Sequence, residues 1–211
     1  MSMNEESAYP SVRLEKHNIQ KEKILKILSS SLRIVFLVVG MLPAFAIAGV
    51  EVYFLRHAEA DNSNPDKPLV AAGQARAEAL AEHLAPVQVT HIFVTNYYRN
   101  VDTAKPLASS KNVEVVQVPK IGSTVNGKEV TNRSKGVATE PMLEALNNLS
   151  DGSVAVVVAN SGNLFPIMSK FGVSQLPCNS KKCFPKKEFN NIWIVTKSAD
   201  GTNLRTEKYG R

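Results

Sequence analysis

The sequence is poor in the residues that metal and redox proteins use. Its 211 residues include only two cysteines, Cys178 and Cys183, and four histidines, and no Cys/His cluster has the spacing of a zinc site. The net charge of +6 is scattered, with one dense basic cluster at 181–187, and no basic helix or stripe of basic and aromatic residues is present. We therefore expect no metal, no cofactor and no nucleic-acid partner.

Long apolar runs are scarce as well. The uncharged run at 34–48 (IVFLVVGMLPAFAIA) has 15 residues, fewer than the roughly 20 that span a bilayer. It follows a polar, mildly basic segment and ends in Ala46-Ile47-Ala48, a pattern typical of signal-peptide cleavage. We expect a signal peptide at 1–48 and a single exported domain, periplasmic or extracellular, at 49–211. An uncleaved N-terminal anchor, which would confine membrane contact to that segment, and a buried helix are the alternatives.

The two cysteines are consistent with export. Cys178-Asn-Ser-Lys-Lys-Cys183 would close a small loop, and in an oxidising compartment we expect a disulfide there. In a reducing compartment the same residues would be two free thiols. A metal site is disfavoured because no histidine or further cysteine lies nearby in the sequence.

Beyond residue 48, strand patterns alternate with helix patterns. Short apolar, β-branched runs indicate strands, and apolar residues at helical spacing indicate helices. The repeated units predict a three-layer α/β/α sandwich around a mostly parallel sheet. The predicted strands are 50–55, 91–95, 113–118, 153–159, 191–196 and 204–209; the predicted helices are 69–85, 99–109, 139–149 and 164–171; 121–137 is predicted to be a long loop.

Three residue types mark the boundaries of these elements. Thr139 is a plausible N-cap for the third helix, because its hydroxyl can accept a bond from a free backbone N–H. Pro106 indicates a kink or the late end of the second helix. A turn at Asp200-Gly201 is expected to join the last two strands.

Polar residues follow three of the buried strands. These segments are 56–59 (RHAE), 96–99 (NYYR) and 160–163 (NSGN). In open α/β sheets, ligands bind at the carboxyl ends of the strands. The three segments together therefore predict one polar site at that edge of the sheet.

The segments resemble the motifs of the histidine phosphatase superfamily, the phosphoglycerate-mutase-like phosphatases. Residues 55–59 (LRHAE) are similar to the Arg-His signature, and 69–75 (LVAAGQA) to the helix start that follows it. Residues 95–104 (TNYYRNVDTA) are similar to the second motif, with Arg99 at its basic position. The resemblance extends from 50 to 196 and does not identify a substrate.

The resemblance implies phosphomonoester hydrolysis through a phosphohistidine on His57. The neighbouring Arg56 and Arg99 would disfavour protonation of this nucleophile and bind the phosphoryl oxygens. The expected partner is a small phosphorylated compound of the cell envelope or periplasm. The loop at 121–137 is expected to shape specificity, whereas the sequence does not indicate an oligomeric state.

The sequence departs from the family pattern at Asn160, where the family has a second histidine. Asn160 and Ser161 are expected to bind phosphate, but an amide cannot carry positive charge. Candidate general acids are Glu59, Glu129 and Glu140, and no motif assigns this role to any of them. The function classes are an exported phosphatase with reduced or specialised activity and a catalytically impaired module that binds phosphorylated ligands. A third class is a basic surface-adhesive protein that uses the lysines at 181–187.

Overall fold

The structure is a computed structural model that describes residues 49–174, 176 and 188–210. Three predicted features lie outside the described residues: the signal peptide or anchor at 1–48, the pair Cys178 and Cys183, and the basic cluster at 181–187. The predictions made for them stay predictions.

The helices and strands alternate along the chain in the predicted order. The strands are β1 (Val50–Arg56), β2 (His91–Val94), β3 (Val115–Gln117), β4 (Thr124–Val125), β5 (Lys128–Glu129), β6 (Val154–Ala159), β7 (Asn191–Ser198) and β8 (Gly201–Lys208). The helices are α1 (Ala71–His83), α2 (Tyr98–Lys111), α3 (Thr139–Asn147) and α4 (Ser161–Phe171). None of the helices in the described part of the chain is long and apolar enough to cross a membrane.

The main sheet has the strand order β3-β2-β6-β1-β7-β8. The first four strands in this order pair in parallel, and β7 and β8 add an antiparallel hairpin beside β1. Parallel pairs place the carboxyl ends of β1, β2 and β6 at the same edge. The expectation of a mostly parallel sheet is confirmed.

Both faces of this sheet are buried, because side chains alternate along each strand. On β1, Val52 and Phe54 pack with α3 and α4, whereas Tyr53 and Leu55 pack with α1 and α2. Val157 and Val158 of β6 divide between the two clusters in the same way. Burial on both faces explains why the strands are continuous apolar runs, and it confirms the three-layer sandwich.

Two helix boundaries differ from those expected at Pro106, if it marked the helix end, and at Thr139. Pro106 lies inside α2, which continues to Lys111 because the buried Leu107 and Ala108 hold its last turns against the core. Thr139 is the first residue of α3 rather than its N-cap, and the N-cap is Ala138. Ala138 is fully buried and fixes the point at which the chain enters the helix.

The segment predicted as the loop 121–137 contains a small hairpin of β4 and β5. Asn126 and Gly127 connect the strands with φ of 51° and 74°, the conformation that favours Asn-Gly in tight hairpins. The last hairpin also differs from the prediction: Ser198 pairs with Gly201, so its turn residues are Ala199 and Asp200.

Candidate active site

The three polar segments meet at the edge where β1, β2 and β6 end. The His57 N–H donates to the Ala159 carbonyl at 3.2 Å, joining the ends of β1 and β6. The Arg99 side chain reaches Asn160 from the start of α2. The structure thus brings together the residues that the sequence placed on separate strand ends.

His57 is 8% exposed, and its ring is oriented by the backbone. Nδ1 lies 2.7 Å from the Ala58 carbonyl oxygen, which can only accept, so Nδ1 carries the proton and Nε2 keeps its lone pair. Burial is the largest cause that lowers the His57 pKa, to about 3, and the positive charges of Arg99, Arg56 and Lys67 lower it further. The bond to Ala58 acts in the opposite direction. At neutral pH the ring is therefore neutral, and its orientation leaves the lone pair on Nε2.

Arg56 lies beside this ring at the end of β1. Its guanidinium carbon is 4.1 Å from the centroid of the Phe189 ring, a cation–π contact, and Nη1 donates to the Glu188 carbonyl at 3.4 Å. Burial lowers the pKa of Arg56, and the nearby charge of Arg99 adds to this effect. Two like charges close together favour an anion between them.

The guanidinium group of Arg99 is held by hydrogen bonds along one edge and by an aromatic ring over one face. Its Nε and Nη2 donate to Asn160 Oδ1 at 3.1 and 2.5 Å. Its guanidinium carbon is 4.4 Å from the centroid of the Tyr97 ring. Burial lowers the pKa of Arg99, whereas Tyr97 acts to raise it. Asn160 therefore contacts the arginine through its oxygen, and Ser161 follows it as the first residue of α4.

The three candidate acids are arranged differently. Glu59 receives three short hydrogen bonds from Arg76 on α1, and its pKa is lowered by this partner although burial acts to raise it. Glu140 is 70% exposed and pairs with Lys170 in the last turn of α4. Lys170 is nine residues from Ser161, about 13 Å along the helix axis. Glu59 is thus held ionised and Glu140 lies away from the strand ends; Glu129 is exposed on β5.

Thr103 of α2 links that helix to the backbone next to His57. Its hydroxyl donates to the Arg99 carbonyl at 2.7 Å and accepts from the Ala58 N–H at 2.9 Å. The sequence placed Thr103 in a motif but gave it no role. Its side chain fixes the peptide next to His57 relative to the backbone of Arg99.

Lys67 and Phe189 are site residues that sequence reasoning missed. Lys67 has φ of 50° and is close enough to His57 to lower the pKa of the imidazole. Phe189 lies under Arg56 and 5.9 Å from the His57 ring, between ring centroids. Neither residue has a motif around it, because both come from connecting segments whose path depends on the folded core.

The loop that contains β4 and β5 is tied to the same edge. The buried Asn96 donates from Nδ2 to the carbonyls of Thr131 and Ser134, at 2.6 and 3.0 Å. The Tyr97 hydroxyl donates to the Arg133 carbonyl at 3.4 Å. The loop is therefore held close to Arg99, at the same edge of the sheet as His57.

Metal ligands are not gathered at this edge. Within the ranges that the structure describes, no three His, Cys, Asp or Glu side chains form a group that could hold a metal ion. The site is instead a neutral imidazole between guanidinium groups, an arrangement suited to a phosphoryl group.

A family model for the histidine phosphatase superfamily (branch 1) matches residues 52–159. This range contains His57, both arginines of the site and the end of β6 at Ala159. The chain belongs to the histidine phosphatase superfamily. No curated protein sequence gave a significant match.

Solved structures show the same fold. SixA from Agrobacterium tumefaciens, assigned as a phosphohistidine phosphatase, has a TM-score of 0.52 at 18% identity, covering 80% of this chain and 99% of its own. The structure of the protein histidine phosphatase SixA complexed with tungstate has a TM-score of 0.53 at 14% sequence identity, and the match covers 75% of this chain and 96% of the SixA chain. Phosphoserine phosphatase from Entamoeba histolytica, in complex with 3-phosphoglyceric acid, has a TM-score of 0.53 at 13% sequence identity. The match covers 77% of this chain and 98% of the phosphatase chain. At these identities the similarity establishes the fold.

Proposed function

We propose that this protein is a phosphatase that hydrolyses phosphomonoesters through a phosphohistidine on His57 Nε2. The observation that carries the proposal is the state of His57: buried, neutral at pH 7, and oriented by Nδ1–H donation to Ala58. Nε2 is thereby the nucleophilic atom. The superfamily to which the chain belongs supports phosphatase-type chemistry.

The phosphoryl group is bound by positive charge and by backbone donors. Arg56 and Arg99 supply guanidinium N–H groups, which pair with phosphoryl oxygens in charge-assisted bonds. The N-terminus of α4 begins at Ser161, at the same edge, and its first N–H groups and the helix dipole favour an anion there. The same donors stabilise the charge that builds up on the equatorial oxygens during transfer.

In the first step, Nε2 forms a bond to phosphorus while the bond from phosphorus to the leaving oxygen breaks. In the second step, water attacks the phosphohistidine, the N–P bond breaks, and inorganic phosphate leaves. Glu59 and Glu140 have other partners, Arg76 and Lys170. We therefore propose that the leaving oxygen takes its proton from solvent, which favours substrates with good leaving groups.

The test is phosphate release from a panel of phosphomonoesters by the full-length chain and by His57→Ala. We expect the variant to lose turnover by at least about 10³-fold, because the attacking atom is removed. His83→Ala is the matched control, since His83 lies on α1 and pairs with Glu207. Equal turnover by His57→Ala and the wild-type chain would refute the proposal.

A phosphate-binding module with little turnover is the second candidate. It is favoured by Asn160, whose neutral amide occupies two donors of Arg99 that a substrate could otherwise use. Loss of one transition-state donor costs roughly 10²–10³ in rate. In this case wild-type and His57→Ala chains would bind tungstate equally and release no phosphate, and Asn160→His would restore turnover.

We also propose that the chain is exported by its N-terminal segment. The proposal is supported by the apolar run at 34–48, the Ala46-Ile47-Ala48 pattern and the cysteine pair. Mass spectrometry of the protein from a periplasmic or secreted fraction tests it. We expect a chain that begins at Gly49 and resists thiol alkylation until it is reduced; an intact N-terminus on a protein confined to the cytosol would refute export.

A further inference from the structure

The contact between Arg99 and Asn160 has a defined polarity. A side-chain amide can present either its oxygen or its nitrogen, and only the oxygen accepts from the N–H groups of Arg99. Nε and Nη2 both donate to Oδ1, at 3.1 and 2.5 Å. The oxygen of Asn160 is therefore committed to the arginine.

Asn160 also forgoes the local hydrogen bond that its position offers. It is the N-cap of α4, with extended φ and ψ of −78° and 150°, where asparagine normally accepts from an N–H in the first turn. Its side chain makes no such capping bond. A contact 61 residues away in sequence has replaced the local contact, so the orientation of Asn160 serves Arg99.

This contact determines which donors of Arg99 remain. A guanidinium has five N–H groups, and Asn160 accepts from Nε–H and one Nη2–H. Tyr97 covers one face of the same group. The donors left are the two on Nη1 and the second on Nη2, and one N–H from each nitrogen forms the pair at the terminal edge of the guanidinium.

We propose that Asn160 is a positioning residue that acts through its carboxamide oxygen to aim the terminal N–H pair of Arg99 at the phosphoryl group on His57. Arg99 then binds the phosphoryl oxygens end-on, through Nη1 and Nη2. A neutral acceptor holds the guanidinium without cancelling its charge, whereas a carboxylate at the same position would weaken its attraction for an anion. The inference rests on the proposed function and gives Asn160 a different role from direct phosphate donation.

A double-mutant cycle on the full-length chain tests this role. The four proteins are the wild type, Asn160→Ala, Arg99→Ala and the double variant. Tungstate affinity and turnover of p-nitrophenyl phosphate are measured for each. Asn148→Ala, at an exposed amide at the end of α3, is the matched control.

We expect Asn160→Ala to lower kcat/KM by about 10- to 100-fold, mainly through kcat, because a displaced donor is felt most in the transition state. Its melting temperature should fall by no more than about 5 °C, because the bonds to Arg99 are lost but no capping bond is. In the Arg99→Ala background the same change should alter tungstate affinity and kcat/KM less than about twofold, because Asn160 then has nothing to position.

Losses that multiply in the double variant would overturn the inference, because Asn160 would then contact the phosphoryl group independently. Unchanged activity in Asn160→Ala would overturn it as well. If the wild type binds tungstate but does not turn over substrate, the proposed hydrolysis fails, while the affinity cycle still decides the role of Asn160. If the wild type does not bind tungstate, both proposals fail.

Discussion

At the residue scale, the proposed hydrolysis depends on the protonation state of His57. Burial and the charges of Arg99 and Arg56 keep His57 neutral, and the Ala58 carbonyl decides which nitrogen is protonated. The same two arginines that would bind the substrate therefore also prepare the imidazole to attack it. In the proposed function, the positive charges of Arg56 and Arg99 thus both attract the phosphoryl group and keep His57 unprotonated.

We expect the low pKa of His57 to be directly visible in a proton titration. A pKa of about 3 means that the ring stays unprotonated as the pH falls from 8 to about 5, and takes up its proton only near pH 3. The ring C–H resonances of His57, identified by their loss in His57→Gln, should not shift over that range. A midpoint near the ordinary value of 6.5 would show that the ring is solvated and poorly prepared for attack.

The sequence could locate Asn160 but not the direction of its amide. Its place after a buried strand follows from the apolar pattern of 153–159. The choice between donating to a ligand and accepting from Arg99 depends on a side chain 61 residues away. The spacing of residues along the sequence carries no information about such a contact. The sequence therefore predicted that Asn160 binds phosphate directly, whereas in the structure its oxygen accepts from Arg99.

At the element scale, α1 fixes the position of the segment that follows His57. The Val70 N–H donates to the Glu59 carbonyl at 3.1 Å, and Arg76 holds the Glu59 side chain. Gly73 packs directly on the same peptide, where a Cβ atom would lie 2.0 Å from the Glu59 carbonyl oxygen. The helix can approach the end of β1 this closely because residue 73 has no side chain.

Gly73→Ala should therefore destabilise the protein although alanine is the better helix former. The added methyl would force the helix and the Glu59 peptide apart, and we expect a loss of about 1–3 kcal/mol in the free energy of unfolding. Gly162→Ala in α4, where the new methyl would meet no atom within 4 Å, should be neutral or stabilising. Urea unfolding of both variants checks the contrast, and equal effects would contradict it.

Element boundaries were less predictable than the elements themselves. Pro106 indicated a kink or the late end of α2, but the helix continues to Lys111 because the packing of the buried Leu107 and Ala108 outweighs one lost backbone bond. Asn126-Gly127 carried a sequence signal for a hairpin, but its strands are two residues long. Strands that short have no detectable alternation, so the segment was indistinguishable from a loop.

At the scale of the whole molecule, the three layers could be predicted because each layer leaves a pattern in the sequence. A sheet covered on both faces requires continuous apolar strands such as β1 and β6, and the covering helices require one apolar side each. The antiparallel placement of β7 beside β1 left no comparable pattern, because the direction of a strand is not recorded in its hydrophobicity. Because β1, β6 and β2 are parallel, their carboxyl ends lie at the same edge of the sheet. The sequence could therefore predict that His57 and Arg99 lie close together.

The position of β7 also relates the site to the order in which the chain is synthesised. Strand β1 is made early, but its antiparallel neighbour and the Phe189 ring under Arg56 come near the end of the chain. The Tyr209 hydroxyl, later still, donates to the Phe189 carbonyl at 3.1 Å. A product that stops before residue 188 would contain His57, Arg56 and Arg99 but lack the Phe189 ring beside Arg56, and it would leave β1 as an open edge of the sheet. The surroundings of Arg56 can therefore form only after residues far along the chain from β1 have been synthesised.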